Sequence, residues 1–242
     1  MADDMTGTGL SASSVRDITD RVEALRGDLV EMVQALVRVP SVTGNEGAVQ
    51  ALVADQMRHL GLETDLWEPR TEDLAPYRDE VGAIENLTGR PNVVGTWKGR
   101  GQGGKSLVLN AHIDTVETGD PARWTHPPFA AEVADGKIWG RGACDMKGGL
   151  ATYLVALRAI RDLGLAPAAD VTVQSVMSEE DGGAGAAAAI LRGPRADAAI
   201  ITEPTRLAMI PAQGGSLVLR LHVEGKSAHA CVRDEGVSAI EA

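Results

Sequence analysis

SLVLNAHIDTV, residues 106–116, opens with the aliphatic run Leu107, Val108 and Leu109 and then breaks into Asn110, His112 and Asp114. A run that short and that apolar reads as a buried strand. On an extended segment residues two apart face the same side, so His112 and Asp114 lie together. One of them can bind a metal while the other supports it. Further on, GRGACDMKGGLA, residues 140–151, sets one carboxylate, Asp145, between glycine-rich turns just ahead of a helical pattern. An imidazole and a carboxylate in these two positions are the expected beginning of a metal site.

Working outward, strands and helices alternate. Residues 1–13 read as a loose tail. Val22, Leu25, Leu29, Val33 and Leu36 recur at helical spacing from Ser14 towards Pro40. After the turn SVTGNEG (41–47), Ala48, Leu52, Val53, Met57 and Leu60 predict a second helix closed by Gly61. Strands are predicted at 64–67, 92–97, 107–110, 171–177, 198–202 and 216–223, with a hairpin from 129–133 and 137–139. Further helices are predicted at 150–160, stopped by Gly164, and at 184–191; the polar stretch 69–90 reads as a surface loop. The pattern is α/β, a mixed and mostly parallel sheet flanked by helices, with the hairpins adding antiparallel edges.

Composition narrows the function. With 44% hydrophobic but only 3% aromatic residues, the core of this 242-residue chain must be built from Val, Leu, Ile and Ala. A net charge of −11 argues against a nucleic-acid partner, which needs clustered Lys and Arg. Cys144 and Cys231 are too few for a disulfide framework and favour a reducing compartment. The start, MADDMTGTGLSASS, has no basic region followed by an apolar one, and no run approaches a membrane span. A soluble, cytoplasmic protein without membrane contact is expected.

One motif is a decoy. GRGQGGKS, residues 99–106, satisfies the phosphate-loop pattern letter by letter. That motif works only where Lys-Ser opens a helix whose amides receive the phosphate. Here Lys105 and Ser106 run into a strand, so the segment reads as a hairpin turn whose glycines permit positive φ. A nucleotide-dependent activity would require binding that is lost on Lys105→Ala.

Four polar groups fall at the C-terminal ends of predicted strands: His112, Asp145 after a turn, Glu179-Glu180, and Glu203. Open α/β sheets collect ligands at that edge. Each has a bland reading. His112 alone is a satisfied polar residue, Asp145 a helix cap, Glu179-Glu180 a solvated strand end and Glu203 a turn residue beside Pro204. Together they suit zinc or a similar divalent ion, and a bridging carboxylate suits two ions.

HIDTV, GRGACDMKGG, SEEDGG, ITEPT and GKSAHA, with the VRVPSVTGNEG turn before them, resemble the di-zinc amidohydrolases in this order and spacing. That family includes acetylornithine deacetylase, succinyl-diaminopimelate desuccinylase, aminoacylase and glutamate carboxypeptidase. The likeness runs from about Leu36 to the end. It implies a zinc-exopeptidase-like catalytic domain over 14–213 and the start of a smaller α+β lid or dimerisation domain over 214–242. It implies two divalent ions, zinc foremost with cobalt or manganese as alternatives. His112 and Glu203 would hold one ion, Glu180 the other, and Asp145 would bridge them. Asp114 would orient His112, Glu179 would be the general base, and His229 of GKSAHA would stabilise the oxyanion, acting across a dimer interface. The Asp145–Met146 peptide is expected to be cis. Cys144 reads as a small buried residue rather than a ligand; His59 and His126 read as structural or surface residues.

The implied substrates are N-acyl amino acids, with dipeptides and C-terminal glutamate substrates as alternatives, and a homodimer is implied for the full-length protein. A further ligand histidine and a substrate-binding arginine are expected downstream of Ala242. The reading is therefore of a truncated member, expected to bind metal weakly and to hydrolyse amides poorly or not at all by itself. A catalytically silent remnant or oligomerisation partner is the competing reading.

Overall fold

Among the residues described by the computed structural model, 11–241 except 83, 102, 194, 209–210, 213 and 215–220, five strands form the main sheet. In chain order, helices α1 (Ala12–Ala24), α2 (Arg26–Arg38) and α3 (Gly47–His59) lead to β1 (Glu63–Trp67). Two one-turn helices, α4 (Thr71–Leu74) and α5 (Arg78–Val81), precede β2 (Asn92–Trp97) and β3 (Leu107–His112). A hairpin of β4 (Glu132–Ala134) and β5 (Lys137–Trp139) comes before α6 (Gly148–Asp162), β6 (Val171–Val176), α7 (Ala184–Arg192) and β7 (Ala198–Ile201). The sheet order is β1-β2-β6-β3-β7. β3 is parallel to β6 and β7, while β2 is antiparallel to β1 and β6, so four of the five strands share one direction.

That order corrects two expectations. β6 lies between β2 and β3, so residues 99–106 are a crossover and not a hairpin turn. Their backbone bonds to the segment entering β6: the N–H groups of Arg100 and Gly101 donate to Pro167 O and Ala168 O at 3.1 Å each. The antiparallel character comes from β2, because β4 and β5 pair only with each other, as a separate two-stranded sheet.

The first predicted helix is two helices. Leu25 leaves helical geometry (φ −92°, ψ 10°) and buries its side chain against Val155 and Ala159 of α6, and Gly27 follows where helix propensity is weak. α1 begins at Ala12, inside the expected tail, because Ser11 Oγ accepts from Ser14 N–H and caps it. Residues 1–10 lie outside those described.

Val93, Leu109, Ala111 and Val173 pack one face of the sheet against α2, α3 and α6 in the principal core. Alternation sends Asn110 and Gln174 to the other face, where Asn110 Nδ2 donates to Gln174 Oε1 at 2.9 Å. The 69–90 stretch is not simply surface loop. Its Leu74, Val81, Ile84 and Leu87 bury against Met177, Ala184 and Ala188 in a second small core. Their irregular spacing across several turns shows no period. At the sheet edge, all four residues of β7 are exposed.

Leu207–Ala242 forms a compact unit distinct from Met1–Arg206. It contains a Lys226–Val237 bridge and a 3₁₀ turn at Ala230–Glu235. Most of the strand predicted at 216–223 falls outside the described residues, and 221–223 are not in a strand. No helix among the described residues is long and apolar enough to cross a membrane.

Candidate metal centre

β3 delivers His112 at its last position, and the pairing with β6 continues one residue further through Ile113 N–H to Val176 O at 2.9 Å. On the other flank Ser41 Oγ donates to Ile113 O at 2.7 Å, and Val42 bridges Thr115. His112 and Asp114 are therefore held rigidly and out of water, at 2% and 0% side-chain exposure. His112 Nδ1 lies 3.0 Å from the backbone oxygen of Asp114 and 3.6 Å from its carboxylate. The backbone carbonyl is thus the closer group fixing the ring. The Asp114 carboxylate also fastens its neighbours. Its Oδ1 accepts from Glu179 N–H and its Oδ2 from Glu180 N–H, at 3.1 Å each, and Thr43 Oγ1 donates to Oδ2 at 3.2 Å.

With Nδ1 committed, Nε2 points at carboxylates. Asp145 Oδ1 is 2.9 Å away, Glu203 Oε1 3.7 Å and Glu179 Oε2 3.9 Å. Ligand atoms of His112, Asp145 and Glu203 all lie within 4.8 Å of one another. Zinc bonds of 2.0–2.2 Å in a tetrahedron place neighbouring ligand atoms about 3.4 Å apart, so the spacing and the donor types both fit a divalent ion. Glu180 stands outside that group but carries a raised pKa, from burial first and then from the charge of Asp145.

Asp145 sits in the irregular turn Ala143–Lys147, and its peptide bond to Met146 is cis, as the resemblance implied. Beneath the turn, fully buried Lys147 donates from Nζ to Leu36 O and Val39 O, each at 2.9 Å, at the C-terminal end of α2. Burial lowers its pKa to about 8. Glu203 follows β7, whose end is pinned by α6: Tyr153 OH lies 3.0 Å from Ile200 O and 3.1 Å from Asn110 O. Gly149 makes the approach possible, since a Cβ there would fall 2.0 Å from Thr202 Oγ1.

The electrostatics call for positive charge. Burial disfavours the His112 imidazolium, but Asp114, Asp145 and Glu203 outweigh it and raise its pKa to about 9. Asp114 is lowered: burial opposes its charge, and His112 with the Glu179 and Glu180 amides overcomes that. Burial raises Glu203, relieved in part by His112 and reinforced by Asp145 and Glu179. A cation can take the place of the proton that these carboxylates hold on His112.

Of the residues singled out from sequence, His112, Asp114, Asp145, Glu179 and Glu203 converge, and Glu180 is tied to them through its backbone N–H on Asp114. His229 belongs to the Leu207–Ala242 unit, where its Nδ1 accepts from Cys231 N–H at 3.2 Å. Cys144 is exposed, which corrects the buried reading, because the turn aims it outward beside Asp145; both cysteines are free. His126 stacks on Trp139 with ring centroids 4.7 Å apart and pairs with Glu132. Sequence reasoning missed Thr43, Lys147 and the buried Glu46–Arg90 pair. Thr43 and Glu46 lie in the 41–47 turn that carries part of the resemblance, the one signal that pointed near them.

Comparison with known proteins agrees. The sequence is 32% identical over 206 residues to N-formyl-4-amino-5-aminomethyl-2-methylpyrimidine deformylase of Bacillus subtilis (strain 168), covering 83% of this chain and 44% of that protein. It is 34% identical over 215 residues to succinyl-diaminopimelate desuccinylase of Paracoccus denitrificans (strain Pd 1222), covering 84% and 50%. The chain thus spans about half the length of the curated relatives it matches. Human carnosine dipeptidase 1 shares the fold, with a TM-score of 0.62 at 17% identity over 78% of this chain and 41% of that one. So does the M20 family metallo-carboxypeptidase Sso-CP2 of Sulfolobus solfataricus, with a TM-score of 0.55 at 19% identity over 72% and 37%. A model of one family matches residues 108–235, more than half the chain and the span that holds every group of the cluster, so this chain belongs to Peptidase family M20/M25/M40.

Proposed function

We propose that this chain carries the larger part of a divalent-metal amidohydrolase site that removes acyl groups from N-acyl amino acids. The observation that carries the reading is the convergence of Asp145, Glu203 and Glu179 on one imidazole nitrogen. His112 and Glu203 would hold one divalent ion and Glu180 a second, with Asp145 shared between them; zinc suits these donors, with cobalt or manganese as alternatives. When bound, such ions polarise an amide carbonyl and raise the acidity of water.

Glu179 is the general base. Its carboxylate is half exposed and stands beside the cluster while its backbone N–H is fixed to Asp114, so the group is anchored at its root and free at its tip. It takes the proton of the attacking water and passes it to the leaving nitrogen. His229, supplied by a second copy in a homodimer, donates to the carbonyl oxygen as charge develops there. The lid domain is taken to begin near residue 214, and the free thiols accord with a cytoplasmic protein.

Deacylation is favoured over peptide cleavage because both curated relatives are named for removing an acyl group, N-formyl in one and succinyl in the other. Dipeptidase or carboxypeptidase action is the second reading, suggested by the names of the structural neighbours. Zinc titration of the wild type and of His112→Ala, followed by assays on N-acetyl and N-succinyl amino acids beside dipeptides, tests both readings. Stoichiometric zinc lost in His112→Ala supports the site, and the preferred substrate decides the class. Wild-type protein that binds no zinc would overturn the site.

A further inference from the structure

We infer that Arg90, backed by Glu46 and acting through Asp181, is the positioning residue for the 178–183 loop, and so for Glu179 and Glu180. The inference rests on the proposed roles of those two carboxylates, but its geometry stands independently. Glu46 and Arg90 form a buried pair, with side-chain exposures of 0% and 6%. Arg90 Nη2 donates to Glu46 Oε1 at 2.7 Å and Nε to Oε2 at 3.0 Å, the two-pronged geometry that only a guanidinium provides. Its remaining arm reaches Asp181 Oδ2 at 3.4 Å. The other oxygen of Asp181 accepts the hydroxyl of Ser178.

Ser178 needs holding. Its φ of +65° places a non-glycine residue in the left-handed region, which the surroundings must enforce. The loop stems are clamped separately: Asn92 accepts from Met177 N–H at 3.0 Å and donates to Gly185 O at 2.7 Å. Within the loop, Gly182 N–H donates to Glu179 O at 3.1 Å and Gly183 N–H to Ser178 O at 2.5 Å, and Asp181 adds side-chain ties to Ser178 and Arg90. Glu46 Oε1 also accepts from Gly44 N–H at 3.0 Å, in the turn whose Thr43 donates to Asp114. The buried pair therefore joins two segments that both end on Asp114, one through a hydroxyl and the other through the Glu179 and Glu180 amides.

Amide hydrogen exchange, read residue by residue by NMR on the whole chain, tests this without reference to activity. Asp181→Asn leaves the Glu46–Arg90 pair intact and is the primary variant; Arg90→Met and Arg90→Lys remove the fork. In Asp181→Asn the Glu179 and Glu180 amides are expected to exchange at least about tenfold faster, while β2 and β3 amides stay within about threefold of wild type. Zinc affinity should fall by about tenfold in the same variant. Arg90→Lys should lie between wild type and Arg90→Met. Unchanged protection at 179 and 180 in Asp181→Asn, or acceleration shared evenly by β2, β3 and β6, overturns the positioning role. A wild type that binds no zinc overturns the proposed metal site alone, because the exchange pattern is measured regardless.

Discussion

Residues 99–106 and 140–149 are both glycine-rich, and both resemble ligand-binding loops, yet they do opposite things. In the first, the backbone is spent on the protein itself. Gly99 N–H donates to Asp170 at 2.8 Å, Ser106 N–H to Asp197 at 2.7 Å, and Arg100 and Gly101 to carbonyls ahead of β6. Four of the amides in the segment are thus occupied, two of them by carboxylates that repel an anion. Gly101 and Gly103 have positive φ with nothing near the position of a Cβ, so there glycine serves only to turn. In the second segment glycine serves to approach: a Cβ at Gly142 would meet Thr115 at 2.7 Å, and one at Gly149 would meet Thr202 at 2.0 Å. The contrast teaches that a glycine-rich motif acquires meaning from what its amides and its missing side chains touch.

The contrast can be broken in order of expected effect. His112→Ala should cost at least ~100-fold in zinc affinity by calorimetry, since the ring is the hub of the cluster; a loss under threefold would sink the site. Glu179→Gln should lower hydrolysis by about 10²–10⁴-fold while zinc affinity stays within about threefold; parallel loss of both would make Glu179 a ligand instead of a base. Gly149→Ala should destabilise the fold by about 1–3 kcal/mol in urea melts and weaken zinc binding through displaced Thr202 and Glu203. Gly101→Ala, with open space around it, should leave zinc affinity unchanged.

The crossover yields the smallest effects. The Gly99 amide first, then Lys98, holds the Asp170 carboxyl below its ordinary value. A carboxylate depressed in the folded state stabilises above its unfolded pKa of about 3.9 and loses that contribution as pH falls through the folded value. The melting-temperature gap between wild type and Asp170→Asn should therefore be constant from pH 8 to 6 and narrow below about pH 4. A gap that widens in acid would show the sign to be wrong. Lys105→Ala should change neither zinc nor nucleotide binding.

Much of this was legible in the chain. Strand ends were readable because aliphatic runs break into single polar residues at His112 and Glu203, and α3 and α6 because their apolar spacing is regular. Sheet order was not, since nothing local to residues 99–106 reveals that β6 inserts between β2 and β3. Nor was the Glu46–Arg90–Asp181 connection, whose members stand 44 and 91 residues apart with no periodic relation. The break at Leu25 was hidden for a related reason: its apolar character fits a continuing helix, while its packing against Val155 and Ala159 accompanies the end of one.

β7 differs from the other strands that serve the cluster in being wetted along its whole length, with Ile200 at 48% and Ile201 at 59% exposure. Glu203 is delivered from that strand, so its placement depends less on the interior than that of His112 does. Among the described residues, one jaw of the cation grip is therefore backed by the interior and the other by a strand at the margin of the sheet.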